Sequence, residues 1–222
     1  MKELEFARKY DREHSQKYFE KHRKGLRRRL TNWRELQLAR KGLVLAGNPA
    51  VVLDLPCGAG RFWPVLLEDP ARRVLAADVN EGMLQSAREN QPPEVVARIE
   101  RIFQTSAFEI GLADASVDGI LCMRLIHHIT ESADRMQILR EFARVSRDSV
   151  VMSLWVTGNR QASRRLRQAA VRPKSAHLHT AVLEPGAIEA ECRAAGFSIA
   201  GHFDVLPGLS MWRFYVLRKP AA

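Results

Sequence analysis

The chain lacks what would place it in a bilayer or hold it together by cross-links. None of its apolar runs approaches the roughly 20 residues that a membrane-spanning helix needs. Its first residues, Met1-Lys2-Glu3-Leu4-Glu5, are charged, with no apolar signal segment behind them. Neither a membrane helix nor a secretory leader is expected. Cysteine is scarce: Cys57, Cys122 and Cys192 are odd in number and far apart, without CxxC spacing. That excludes a disulfide framework and fits a reduced, cytoplasmic setting. His177-x-His179 has no third His or Cys at ligand spacing, so no metal is expected. Internal repeats and low-complexity segments are missing too. A length of 222 residues suffices for one well-buried domain and is short for two.

Acid is also missing where base is abundant. Residues 1–50 hold fourteen Lys/Arg against six Asp/Glu, and residues 149–183 hold six Lys/Arg and no acid at all. These segments carry +8 and +6 of a formal +10, so the remainder is net acidic. Such asymmetry suits an anionic partner: a phosphorylated or lipid-like substrate, a membrane surface or a nucleic acid. A solvated helix face accounts for the same charge.

Residues 1–46 carry helical spacing, with Phe6, Tyr10, Phe19, Leu26, Leu30, Trp33 and Leu36 recurring at mostly three, four or seven positions. Two or three helices are expected there, stopped by Gly47-Asn48-Pro49. Strands and helices then alternate. Strands are predicted at 50–55, 73–77, 99–105, 119–123, 149–155, 197–206 and 211–217. Helices are predicted at 62–68, 81–90, 134–145 and 185–195, with an irregular basic stretch after Trp155. Alternation at this spacing implies βαβ units in a doubly wound, mostly parallel, seven-stranded Rossmann-like sheet. Pro207-Gly208 is too short a link for a parallel crossover, so the last two strands should pair antiparallel. The expected organisation is an N-terminal helical extension, 1–46, and a main body, 47–222, with a basic insert at about 156–183.

The first strand ends in Asp54-Leu55-Pro56-Cys57-Gly58-Ala59-Gly60, a turn without bulky side chains that a ligand can approach closely. In an open α/β sheet ligands sit at the carboxyl ends of the strands, where the strand order reverses. The second strand ends in Asp78, an acid placed to accept hydrogen bonds from both ribose hydroxyls of a nucleoside, or to cap the helix after it. No third glycine follows Gly60 and there is no GxxxxGK[ST] loop, so neither a dinucleotide nor a phosphate cradle is indicated. Asp54 at the head of the turn suits a cationic amine instead. Pro56 lacks an N–H, so the chain should pass it extended and leave the close approach to Gly58 and Gly60.

Four motifs stand in order: Asp54-x-x-Cys57-Gly58-x-Gly60, Asp78-Val79-Asn80-x-x-Met83-Leu84, Asp114-x-x-Val117-Asp118-Gly119-Ile120 and His127-His128-Ile129. From about Val51 to Trp155 the chain resembles class I S-adenosylmethionine-dependent methyltransferases, nearest the branch of the ubiquinone and menaquinone C-methyltransferases. The resemblance implies S-adenosyl-L-methionine as cofactor. Asp54, Pro56 and the Cys57–Gly60 backbone would meet its methionine end, Asp78 its ribose, and Val79 and Met83 its adenine. Ser106, followed by Ala107, stands where the family usually has an acid for the adenine amino group, and Pro56 replaces a usual glycine. Cys122, Met123 and Arg124 would lie along the cofactor's amine.

His127 and His128 follow the fourth strand and are the candidate proton acceptors, histidine being matched to transfer near neutral pH. A structural role at the cofactor loop is the other reading of the pair. Tyr10, His14 and Tyr18 share one helix face. The resemblance implies that the N-terminal helices, 1–46, form a lid on the cofactor site, which makes these three candidate lid residues, with ordinary packing as the other reading. Arg34 and Arg124 are candidates for the cofactor carboxylate, with a surface salt bridge as the competing account for each. Arg160, Arg164, Arg165 and Arg167 are candidates for gripping an anionic substrate. Methyl transfer to a small-molecule, lipid or glycolipid acceptor is the leading expectation. An RNA or protein methyltransferase is the alternative, weakened because Cys122-Met123-Arg124-Leu125 stands where many base-amine methylators carry (D/N)PP(Y/F). A non-catalytic cofactor-binding homologue is the third.

Overall fold

The computed structural model describes residues 26–171 and 180–220. Helix α1 (Leu26–Leu45) precedes strand β1 (Val51–Asp54), and a short helix α2 (Trp63–Leu66) leads to β2 (Arg73–Asp78). Helices α3 (Glu81–Asn90) and α4 (Pro93–Val96) come before β3 (Ile99–Gln104) and β4 (Val117–Cys122). A 3-10 turn (Ile126–His128), α5 (Ser132–Val145), β5 (Ser146–Trp155), α6 (Arg160–Val171), α7 (Pro185–Ala194), β6 (Ser198–Asp204) and β7 (Trp212–Arg218) complete the order.

The seven strands form one sheet in the order β3-β2-β1-β4-β5-β7-β6. Pairings from β3 through β5 are parallel. Strand β7 runs antiparallel to both β5 and β6, so it alone is reversed. The expected antiparallel end of the sheet is therefore present, and the short Pro207-Gly208 link explains it. The order reverses between β1 and β4, which puts the ligand crevice at their carboxyl ends.

Strand alternation feeds two cores. Leu53, Ile120, Val150, Met152, Tyr215 and Leu217 pack with Ile138, Leu139 and Phe142 of α5 and Ile188 of α7. Val52, Leu121, Val151, Phe214 and Val216 point the other way, onto Leu38 and Leu43 of α1, Trp63 and Leu84. Helix α1 buries a stripe at 35, 38, 39, 42 and 43, whereas Leu30 and Trp33 are 63% and 54% exposed. The apolar spacing that marked the helix thus does not mark its inner face. The stretch after Trp155, expected to be irregular, contains the 12-residue helix α6. Its first turn is capped by Asn159 Oδ1, which accepts from Ala162 N at 2.9 Å. The Ala, Gln, Leu and Arg residues that follow are good helix formers.

Candidate active site

The turn after β1 is pinned by strand ends on both sides: Leu55 N donates to Leu121 O at 3.0 Å and Cys57 N to Ala77 O at 2.8 Å. The Leu55–Pro56 peptide is cis and the chain turns there, so the extended passage expected at Pro56 does not occur. A tertiary amide makes that isomer accessible. The two glycines serve different ends. Gly60 (φ +73°) faces Trp63, whose ring would lie 2.7 Å from a Cβ. Gly58 (φ +53°) has no described atom within 4 Å of where a Cβ would be. Gly58 therefore keeps one face of the turn clear of the described residues, while Gly60 lets Trp63 pack beneath it. The Cys57 thiol is buried, and burial, Asp78 and Asp54 push its pKa well above the usual thiol range, so it is inert.

Asp54 is fully buried, and both its carboxylate oxygens lack a hydrogen-bond partner among the described residues. The Trp63 indole N–H helps it slightly without closing a well-aligned bond. Burial and the neighbouring Asp78 charge push its pKa far up. A buried carboxylate left this way costs several kcal/mol, of order 1–3 for the missing bonds alone. Such a group calls for a cation. Asp78 is also buried, and its pKa is pushed up to about 6 by burial, against the pull of backbone N–H donors. Its Oδ2 accepts from Gly58 N and its Oδ1 from Asn80 N, both at 2.9 Å. Capping of α3 falls to Asn80, whose Oδ1 accepts from Met83 N, and not to Asp78. Val79 is half-buried beside it and Met83 is buried. Gln104 Nε2 donates to Val79 O at 2.8 Å.

The other residues expected at the cofactor are mostly buried or hydrogen-bonded within the protein. Ser106 Oγ accepts from Phe108 N at 3.3 Å within its own turn, and Ser106 and Ala107 are buried. The Cys122 thiol is buried, and burial and Asp54 raise its pKa. Met123 is buried as well, while Arg124 (φ +62°) leaves β4 with its N–H donating to Ser153 Oγ at 3.0 Å. The Arg124 guanidinium meets Glu35 at 2.7 and 2.9 Å and lies 4.8 Å from the Trp212 ring. Arg34 Nε donates to Val205 O at 3.2 Å. Both arginines expected at a cofactor carboxylate are thus engaged by the protein itself.

Glu35 was not singled out by its sequence context, yet it ties the crevice together. It is 1% exposed and takes ion pairs from Arg61, just after the glycine turn, and from Arg124, just after β4. Arg61 Nε also reaches Asn32 Oδ1 at 2.5 Å. Burial alone would raise the pKa of Glu35, but the two guanidiniums hold it below the usual range. The signal was available: Glu35 stands three and four residues before Leu38 and Ala39, on the buried stripe, where a charge implies a buried partner.

Beyond β4, His127 is 2% exposed and stacks on Trp155, with centroids 4.3 Å apart and planes at 28°. Trp212 meets His127 edge-on at 4.9 Å, and the His128 centroid is 4.1 Å from that of His127. Trp155 and Trp212 are register partners where β5 ends and β7 begins. Burial, then the charges of His128, Arg124 and Arg165, push His127 down to about 2, so it stays neutral. Arg165 lies 4.5 Å from the Trp155 ring, whereas Arg160 and Arg164 are exposed on α6. Tyr10, His14, Tyr18, His177 and His179 lie outside the described residues. No group of three metal-ligating side chains occurs among the described residues, and no described helix is long and apolar enough to cross a membrane.

Comparison with known proteins agrees with this geometry. Residues 53–153 match the family described as a methyltransferase domain. A "Probable S-adenosylmethionine-dependent methyltransferase" of Mycobacterium tuberculosis is 35% identical over 98 residues, 44% of this chain and 32% of that one. A protein of the same description from Mycolicibacterium smegmatis is 29% identical over 160 residues, 72% of this chain and 56% of that one. The matches thus span about a third to a little over half of the length of those curated relatives. Among solved structures, the magnesium protoporphyrin IX methyltransferase of Synechocystis PCC 6803 with bound SAH superposes with a TM-score of 0.70 at 15% identity, covering 89% of each chain. A possible histamine N-methyltransferase of Thermotoga maritima gives 0.62 at 15% identity, covering 86% and 91%. The fold is the Rossmann-like fold of these methyltransferases.

Proposed function

We propose that the chain is an S-adenosylmethionine-dependent methyltransferase acting on a small, anionic, lipid-like acceptor. The observation that carries this reading is Asp54, a fully buried carboxylate with no well-formed hydrogen bond among the described residues, at the head of a glycine turn and next to Asp78. The cofactor is a cation with an amino-acid ammonium, and a carboxylate of this kind fits it. Asp54 and the Cys57–Gly60 backbone would hold the methionine end, Asp78 the ribose, and Val79 and Met83 the adenine. Ser106 and Ala107 would border the adenine, as Cys122 and Met123 would border the amine. When bound, the cofactor supplies an electrophilic methyl on a sulfonium.

The chain's own task is alignment and the exclusion of water. If the acceptor carries a proton, His128 is its acceptor: it is half-exposed, whereas neutral His127 serves as packing between His128 and Trp155. The matched domain family and the named relatives support methyl transfer, and the small-molecule names of the solved neighbours support a small acceptor. The motif order supports the C-methyltransferase branch. Three buried free thiols suit the cytoplasm. Residues 1–46 are read as a lid, and the basic segments as a weak hold on an anionic surface.

The test is calorimetric titration of S-adenosylmethionine into wild type and Asp78→Ala, followed by a screen of small acids and lipids with labelled methyl. Wild type should bind and the variant should bind at least about tenfold more weakly, the loss of a charge-assisted hydrogen bond. Equal binding, or none by wild type, removes the assignment. Steeply salt-dependent RNA binding would move the acceptor to nucleic acid.

A further inference from the structure

Most of the buried or half-buried arginines described pair with an acid: Arg61 and Arg124 with Glu35, Arg135 with Glu191, Arg144 with Glu141, and Arg213 with Asp204. Arg34 donates to the Val205 carbonyl instead. Among the described residues Arg165 has neither kind of partner. It is half-buried, and its Nη2 donates to Thr180 Oγ1 at 2.7 Å. No carboxylate pairs with it among the described residues, and residues 149–183 contain no acid that could. A guanidinium offers five N–H donors in a fork that fits an oxyanion edge-on. Stacking on Trp155 at 4.5 Å occupies the face of the group and leaves its edges. Thr180 then fixes its direction.

A second observation points to a ligand in the same cluster. His127 Nδ1 and Trp155 Nε1 are buried polar atoms with no partner among the described residues. They belong to the wall of His127, Trp155 and Trp212 at the carboxyl end of β5, beside the crevice. Arg160, Arg164 and Arg167 on the same helix are exposed, where water and salt screen their charge. Arg165 alone among these four is withdrawn from water, and burial lowers its pKa with no acid to oppose the shift.

We propose that Arg165 is the receptor for the oxyanion of a small ligand, a carboxylate or a phosphate, lying against the His127–Trp155–Trp212 wall. That this ligand is the methyl acceptor rests on the methyl-transfer reading; the anion site itself does not. The test uses ¹⁵N-labelled full chain saturated with S-adenosylhomocysteine, with the Trp155 indole signal assigned through Trp155→Phe. Benzoate and phenyl phosphate are titrated separately. At least one should shift the Trp155 signal saturably, and whichever does so at lower concentration identifies the oxyanion. Arg165→Gln should weaken that titration about tenfold or more. Arg165→Lys, which keeps charge but not the fork, should fall between. Arg101→Gln, removing an exposed charge on β3, should behave as wild type. S-adenosylhomocysteine affinity by calorimetry should be the same in wild type and all Arg165 variants, which also shows them folded. No saturable shift with either anion, or an unaltered titration in Arg165→Gln, overturns the proposal. If wild type fails to bind S-adenosylhomocysteine but its anion titration still depends on Arg165, the site stands and methyl transfer falls.

Discussion

The two flanks of the crevice are built on opposite charge. At the ends of β1 and β2, Asp54 and Asp78 are buried acids, whereas at the end of β5 Arg165 lies over Trp155 with no carboxylate paired to it among the described residues. Glu35 by contrast takes ion pairs from both Arg61 and Arg124, so these charges meet within the protein. The contrast separates structural charge from charge left for a ligand. A positive donor and a negative acceptor would each meet the flank that lacks their sign.

The comparison is broken most severely at Asp54. Asp54→Leu should lower S-adenosylhomocysteine affinity by about a hundredfold or more, because a charge-assisted contact and its geometry go together. The same variant should melt no lower than wild type, since an unpaired buried carboxylate is removed. Calorimetry and a thermal melt on one preparation measure both. Glu35→Gln should do the reverse: a loss of about 3–5 kcal/mol in denaturant unfolding, the cost of leaving buried charge without its partner.

Asp78 sharpens the comparison through pH. Its folded pKa of about 6 lies above its ordinary 3.8, so the folded chain holds this proton more tightly than the unfolded chain. The associated stability is fully present below about pH 4 and is lost as pH climbs through 6. Full loss amounts to roughly 3 kcal/mol. Stability of Asp78→Asn relative to wild type should therefore rise between pH 4 and pH 7.5, by unfolding at each pH. Cofactor affinity of wild type should move the opposite way, rising with pH as the carboxylate ionises. Ser106→Ala should have the smallest effect, at most about 1 kcal/mol in stability, since its hydroxyl serves its own turn.

Much of the frame was legible from residue order. Alternating apolar runs and turn residues marked every strand, because strand period and turn chemistry are local properties. The reversal of β7 followed from the two-residue Pro207-Gly208 signal, again local. Asp54 and Asp78 were legible because strand ends fix where side chains emerge. Helix α6 was not, since a basic stretch carries little apolar period, and only Ala162 on it is buried. Glu35, Trp155 and Trp212 were missed for a different reason. Their roles depend on partners 26 to 89 positions away, as in Arg61 and Arg124 with Glu35, and on two tryptophans brought opposite by an antiparallel pairing. Arg124 meets the salt-bridge alternative, its partner Glu35 lying 89 positions away, and Arg34 is held by the carbonyl of Val205, 171 positions away.

The space in front of Gly58, clear of described atoms, bears on how a ligand arrives. The N–H of Gly58 is already held by Asp78, and the neighbouring turn is pinned to Leu121 and Ala77. The loop is therefore ordered by the fold before anything binds, and ligand affinity is not reduced by the entropy of ordering it. Arrival at this turn then requires no folding of the turn itself.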